Sequence, residues 1–380
     1  MQERHGKTGI SIPSLVRAGS KYEVAAGNGT SVYWALAGKV EASSGEVMPW
    51  ILPMISRRNF LAALSSFLSF LPATLAQAGY QEPANRNVKW ALSEALWRYY
   101  PPCPFTDILD VMAETGFIGV RLSGFPHVLS DFGLTPAQML REVSRRNLHV
   151  VTISWNGRLT DPAARQQVLQ SASEAMKFLA DFGASHLVVF SPSRTTQGTG
   201  PGPETPAAFQ ELCTRCNQIG ELAGEMGFTA GLHNHMGQMV QNQDEVDRFM
   251  AMTDPKLFGL SPDTCHLNLA GCDVVGTLNR YKHRIRFLDY KDSKWTTPTK
   301  DWIQPNGKMF PKNSATARFF NSSYDLGDGQ VDFPACHRVL KSVSYRGWIC
   351  VDLDTARLGQ LADFKRCGNY IAEKLEPIYL

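Results

Sequence analysis

Asp263 and His266 stand three residues apart in the run Ser261-Pro262-Asp263-Thr264-Cys265-His266. The run follows a short apolar stretch, Leu257 to Leu260, that reads as a buried strand. A carboxylate and an imidazole just past a strand end can both face a cleft above a sheet. Such groups bind hard divalent cations and sugar hydroxyls. The spacing is common by chance, so its meaning depends on what the chain sets beside it.

The elements that would position this pair recur regularly from residue 86 onward. Apolar runs predict strands over 88–92, 119–122, 149–154, 186–191, 229–235, 258–263, 285–291 and 347–354. Helical periods follow them over 105–115, 136–147, 162–182, 206–226, 243–252, 273–281, 333–344 and 361–375. Eight strand–helix units with short, doubly buried strands predict a (β/α)8 TIM barrel, α/β in class and a single domain. An open doubly wound sheet would bring a Gly-rich phosphate turn after the first strand, and none follows it.

Active sites of such barrels lie at the C-terminal ends of the strands. Those ends carry Trp97, Arg121, Trp155, Ser191, His233, His235, Asp263, His266, Asp289, Lys291, Asp352 and Asp354. The ionisable groups gather on strands five to eight, which suits metal and acid–base work. Trp97 and Trp155 are expected to stack on a polyol, with His235, His266 and Trp295 as further substrate contacts. Asp292 and Asp354 are expected to cap helices. His149 and His186 begin strands and belong to the stability face, and His283 and His337 are expected on the surface.

The formal charge is +3 with no basic block, so neither nucleic acid nor an anionic membrane surface is indicated as a partner. Removing residues 1–78 leaves 31 residues of each sign, so the basicity belongs mostly to the leader. Cys213 and Cys216 lie in a helical pattern without a second pair and read as ordinary helix cysteines. Residues 293–330 are too long for a plain loop. Their aromatic residues predict a lid over the barrel mouth or a contact between subunits of a homo-oligomer. The run from Ser191 to Thr205 is expected as a second flap. A phosphate pocket would need clustered basic residues or a Gly-rich nest, so a neutral small-molecule sugar or cyclitol is preferred.

Residues 54–78 contain Arg57 and Arg58, then a moderately apolar stretch, then Ala76-Gln77-Ala78. They resemble a twin-arginine (Tat) export signal. The resemblance implies cleavage after Ala78, a barrel over 79–380, a periplasmic or otherwise exported location and no stable membrane insertion after cleavage. Residues 1–53 show no sustained period and are expected to be a disordered leader or an over-extended reading of the gene, with Met54 as the start.

Five stretches resemble the xylose isomerase-like barrel superfamily of sugar isomerases, epimerases and dehydratases, and within it the inosose dehydratase-like members. They are residues 231–237 (GLHNHMG), 261–271 (SPDTCHLNLAG), 284–292 (RIRFLDYKD), 326–333 (LGDGQVDF) and 345–354 (YRGWICVDLD). The resemblance implies one divalent metal ion held at the positions of His233, Asp263, Asp289 and Asp352. Three of these depart from the family pattern of Glu, Asp, His and Glu, yet three carboxylates and one imidazole remain. That inventory favours Mn, Mg or Co and leaves zinc open.

By the same resemblance, His233, His266 and Asp352 would handle protons and Lys291 would polarise an oxygen. A keto-sugar or keto-cyclitol would lose a proton beside its carbonyl, with isomerisation, epimerisation or dehydration as outcomes. A non-catalytic carbohydrate-binding barrel is the alternative. An endonuclease-like member would need more metal ligands and a basic groove.

Overall fold

Eight parallel strands alternate with helices in the computed structural model, which describes residues 87–194 and 205–379 and, by backbone, four short strands earlier in the chain. The strands are β1 Val88–Ser93, β2 Gly119–Ser123, β3 His149–Trp155, β4 His186–Phe190, β5 Thr229–His233, β6 Gly259–Leu260, β7 Leu288–Tyr290 and β8 Gly347–Val351. Hydrogen bonding runs in the order β6-β5-β4-β3-β2-β1-β8-β7. Parallel bridges Leu260–Ile285 and Asp263–Asp289 join β6 to β7 and close the ring. The TIM-barrel expectation is met.

The β6–β7 seam is thin for a local reason. Pro262 has no N–H to give a ladder, and the chain turns into a helix at Asp263. Strand six therefore spans two residues rather than the predicted six. Its carbonyls are still used: Arg286 N donates to Leu260 O at 2.9 Å and Asp289 N to Pro262 O at 2.9 Å. Gly259 is required there, since a Cβ would lie 2.5 Å from Arg284 O.

The helices are α1 Phe105–Glu114, α2 Pro136–Ser144, α3 Arg165–Asp181, α4 Pro206–Glu225, α5 Gln243–Met252, α6 Val274–Tyr281, α7 Phe333–Ser342 and α8 Gln360–Tyr370. Their apolar faces pack on the outer side of the barrel. A smaller cluster of Ala91, Val151, Val188, Phe287 and Cys350 fills its interior. Cys213 and Cys216 are buried on α4, and all eight cysteines are free. His186 bonds Thr229 and Ser261, each at 2.9 Å, and stacks on Phe287, a structural role as expected. His337, expected on the surface, is fully buried; it stacks on Trp90, and Tyr290 Oη lies 3.3 Å from its Nδ1.

The insertion after β7 folds as a small unit. Asp292–Ser293 pairs with Ser323–Tyr324, Trp302–Ile303 pairs with Met309–Phe310, and Ala315–Ser322 is a helix. It is fastened to the 3-10 turn Glu94–Tyr99 that follows β1: Asn306 N donates to Tyr99 O at 3.0 Å, and Phe320 packs edge-on against Tyr99. Asp292 is no helix cap. Its carboxylate accepts the backbone N–H groups of Ser293, Gly327, Gly329 and Val331 and so organises the return loop.

Residues 1–82 form a separate unit, in which Ala37–Glu41 pairs with Val47–Ile51 and Tyr33–Trp34 with Ile55–Ser56, both antiparallel. Apart from Ile55–Ser56, the expected export signal lies outside the described residues, as do residues 195–204 of the expected flap. No helix among the described residues is long and apolar enough to cross a membrane.

Candidate active site

Asp263 ends the β6 stretch and caps the short helix Thr264–Leu269, with its Oδ1 accepting His266 N at 3.0 Å. Capping fixes the carboxylate and leaves Oδ2 for other work. Asn234, just past β5, braces Asp263 from both sides: its Oδ1 accepts Asp263 N at 3.0 Å and its Nδ2 donates to Asp263 O at 3.3 Å. His266 rides on the same helix, and its Nε2 lies 3.8 Å from Asp263 Oδ2. His233, the last residue of β5, brings its Nε2 to 3.9 Å from the same oxygen. One ligand atom from each of His233, Asp263 and His266 falls within 4.8 Å of the others, and all three residues are buried.

Asp263 Oδ2 and His266 Nε2 are buried without a hydrogen bond. Asp263 Oδ2 is nonetheless faced by Lys291 Nζ at 3.2 Å, whereas His266 Nε2 has no hydrogen-bond partner among the described residues and is the atom left free to ligate. Burial lowers the pKa of both imidazoles far below the usual value, with Arg121 adding to this at His233 and Lys291 at His266. Both are therefore neutral, the form that ligates a metal. Burial also raises the Asp263 carboxyl, although Lys291 and His233 oppose it.

The other two ligands implied by resemblance sit elsewhere. Asp289 Oδ1 pairs with Arg121 Nη1 at 3.0 Å, and Asp289 Oδ2 lies 3.0 Å from His233 Nδ1, out of line for a full hydrogen bond. Asp289 thus stands behind His233 and orients it. Asp352 pairs with Lys291 at 2.6 Å and with Arg121 at 3.5 Å. Burial pushes the Asp352 carboxyl up, but Lys291 and then Arg121 outweigh it, so Asp352 is firmly ionised. The cluster accordingly exchanges Asp289 and Asp352 for His266.

Lys291 Nζ also lies 2.7 Å from Asp354 and 3.2 Å from Asp263. An ammonium has three donors, and three carboxylates occupy them. Burial works against the charge, and Asp263, Asp352 and Asp354 together hold it on. Lys291 is therefore a hub for carboxylates rather than a free polariser of substrate. Asp352 and Asp354 are held ionised against Arg121 and Lys291, whereas burial raises Asp263 and pushes Asp289 up to about 7, and a divalent cation beside them would favour their charged forms.

A cavity of about 720 Å³ opens at this end of the barrel. Trp97, His233, His235, Lys291 and Asp352 line it, as does Glu94. Trp97 is stacked on Phe364, which fixes its ring. His235 Nδ1 lies 2.7 Å from Met236 O, so Nδ1 carries the proton and Nε2 keeps a lone pair. Burial, with His266 and Lys291, pushes its pKa down to about 3. His266 stands behind the cavity wall under Phe319, whose ring stacks on it at 5.4 Å.

Two expected substrate contacts are not there. Trp155 is 1% exposed and turned toward α3, where its Nε1 donates to Ser171 Oγ at 3.1 Å. Trp295 lies outside the cavity lining, with Nε1 donating to Leu269 O and Arg318 over its ring. Conversely, Asp354 is no cap but accepts from Lys291 and Tyr99. Glu94, Asn234 and Phe319 also belong to the site; Asn234 lies in the stretch 231–237 and Phe319 among the aromatic residues of the insertion, whereas sequence reasoning missed Glu94, although it directly follows a strand.

The family model described as "Xylose isomerase-like TIM barrel" matches residues 109–366. Curated relatives named inosose dehydratase include that of Lactiplantibacillus plantarum, 27% identical, covering 77% of this chain and 98% of its own. That of Halalkalibacterium halodurans is 29% identical, covering 77% and 96%. Among solved structures, the probable 3-DHS dehydratase AsbF of Bacillus anthracis superposes with a TM-score of 0.59 at 14% identity, over 75% of this chain and 99% of its own. The IOLI protein with a bound zinc atom gives 0.57 at 12%, over 76% and 99%.

Proposed function

Because this chain belongs to the xylose isomerase-like TIM barrel family, we propose that it is a metal-dependent dehydratase of a keto-cyclitol or keto-sugar. The reaction begins with removal of a proton beside the carbonyl. The observation that carries this reading is the buried His233, Asp263 and His266 cluster, with His266 Nε2 left without a hydrogen bond, beside a cavity lined by Glu94, His233, His235, Lys291 and Asp352. The relatives named inosose dehydratase favour a cyclitol ketone, and favour dehydration over isomerisation.

His233, Asp263 and His266 would hold the cation. Two imidazoles and one carboxylate suit Mn, Co or Zn better than Mg. When bound, the ion supplies a Lewis acid for the ketone oxygen. Arg121 holds Asp289 beside His233, and Lys291 keeps Asp352 and Asp354 ionised and in place. With those groups committed, His235 is the imidazole placed to take the proton, since Met236 O sets its tautomer and it lines the cavity; burial makes it a weak base, so the transfer would depend on the Lewis acid that a bound cation supplies at the ketone. Trp97 forms an apolar wall for the ring of the substrate.

Metal analysis of the purified protein, with His233→Ala and Asp263→Ala as controls, tests the reading together with solvent deuterium incorporation into a keto-inositol. A metal-free wild type that neither exchanges the proton nor releases water would refute it. Export through the twin-arginine pathway is proposed on Arg57, Arg58 and the Ala76-Gln77-Ala78 end. The mass of the mature protein tests it, cleavage after Ala78 being the expected result and retention of the Arg57-Arg58 segment the refuting one.

A further inference from the structure

Glu94 is a buried carboxyl that the scheme above leaves unused. It follows β1, across the barrel from β5 and its histidines. Its Oε1 accepts Ser123 N at 3.0 Å. Among the described residues its Oε2 has no hydrogen bond and the side chain joins no ion pair, yet the residue lines the cavity at 7% exposure. The other carboxyls of the lining are unlike it. Asp352 and Asp354 are held ionised by Lys291, and Asp131 lies exposed at the rim.

We propose that Glu94 is the acid of the reaction, delivering a proton to the hydroxyl that leaves from the carbon next to the deprotonated one. This role rests on the dehydratase reading. The base takes the proton beside the ketone, and its electron pair forms the enolate. As the carbonyl re-forms, the C–O bond to the neighbouring carbon breaks and the proton of Glu94 moves to that oxygen, releasing water. An unsaturated ketone, a protonated base and the Glu94 carboxylate remain. A proton returns from base to Glu94 through solvent, so no further reactant enters.

The surroundings suit the task. Burial raises the Glu94 pKa to about 7, against the Ser123 N–H and the nearby Arg98 and Arg121, with Asp352 adding slightly to the rise. A carboxyl so placed is substantially protonated at neutral pH and is a competent donor. Opposite walls for base and acid also allow the proton and the hydroxide to leave from opposite faces of the ring.

The test is Glu94→Gln in the full chain, supplied with a divalent cation and a keto-inositol. Gln keeps an oxygen for Ser123 N but has no proton to donate. Dehydration is expected to fall by roughly 100-fold or more, while deuterium exchange beside the ketone stays within about threefold of wild type. The alkaline fall of the wild-type rate, set by loss of the Glu94 proton, should vanish in the residual activity, and Glu94→Asp should restore part of the rate. A Gln variant that dehydrates like the wild type overturns the role. So does one that melts normally but loses exchange and dehydration together, because the group would then act before the acid step. A wild type that does neither reaction overturns the dehydratase reading itself, and the acid role with it.

Discussion

Replacing Lys291 by Met removes the ammonium that three buried carboxylates contact. Lys291 is 1% exposed and lies 3.2, 2.6 and 2.7 Å from Asp263, Asp352 and Asp354. Removing one partner of a buried pair costs about 3–5 kcal/mol, because the charge left behind is uncompensated. At roughly 2–4 °C per kcal/mol for a domain of this size, the melting temperature should fall by about 10 °C near neutral pH.

The sign with pH is fixed by the same groups. In the wild type burial raises Asp352 and Asp354, but Lys291 outweighs it and both folded pKa values lie below the unfolded one. Their contribution is present above the unfolded pKa and lost as pH falls through the folded values. In the variant burial acts without Lys291, the folded values rise, and the penalty is largest at neutral pH and shrinks toward pH 4. Thermal melts of both proteins between pH 4 and 8 measure this. A loss below 2 °C, or one that does not shrink on acidification, would refute the hub assignment.

Three further outcomes are expected. Asp263→Asn and His266→Ala should each abolish tight binding of a divalent cation in a titration, whereas Asp289→Asn, acting through His233, should weaken it by about 10–100-fold. Trp155→Phe should leave the KM for a keto-inositol unchanged and lower stability by roughly 1–3 kcal/mol, whereas Trp97→Ala should raise the KM several-fold by steady-state kinetics. Asp292→Ala strands four backbone N–H groups of the return loop. Denaturant unfolding should show a loss of about 3 kcal/mol or more, above that of an ordinary surface Asp.

All eight strands were readable because each is a short apolar run bounded by turn residues. The site was readable only in part. Asp263 and His266 are local to one another, so their spacing announced them. Arg121 meets Asp289 across 168 residues of sequence, and no local pattern marks that pairing. The rule that a strand-end Asp caps the next helix failed at Asp354 because Lys291, 63 residues earlier, claims it. Trp155 was misjudged for a different reason. The β2–β3 register slips at Val151, so Arg121 pairs with Thr152 and Ser123 with Ser154. The bulge shifts the in–out alternation: Ser154 Oγ meets Arg121 at the mouth, and Trp155 turns away to the helix layer.

The thin seam between β6 and β7 gives the ring a natural point of opening. Asp263 and Asp289 are the bridged pair nearest the mouth, and His233 reaches both of them. An occupant of the cluster therefore holds the β6 lip directly, through Asp263 and His266, and bears on the β7 lip through the contact of His233 with Asp289, a clasp across the seam. Amide hydrogens at Arg286 and Asp289, which cross that gap, should exchange more slowly when the clasp is closed. Occupancy of the site then becomes a way for the protein to lock the circumference of its own barrel.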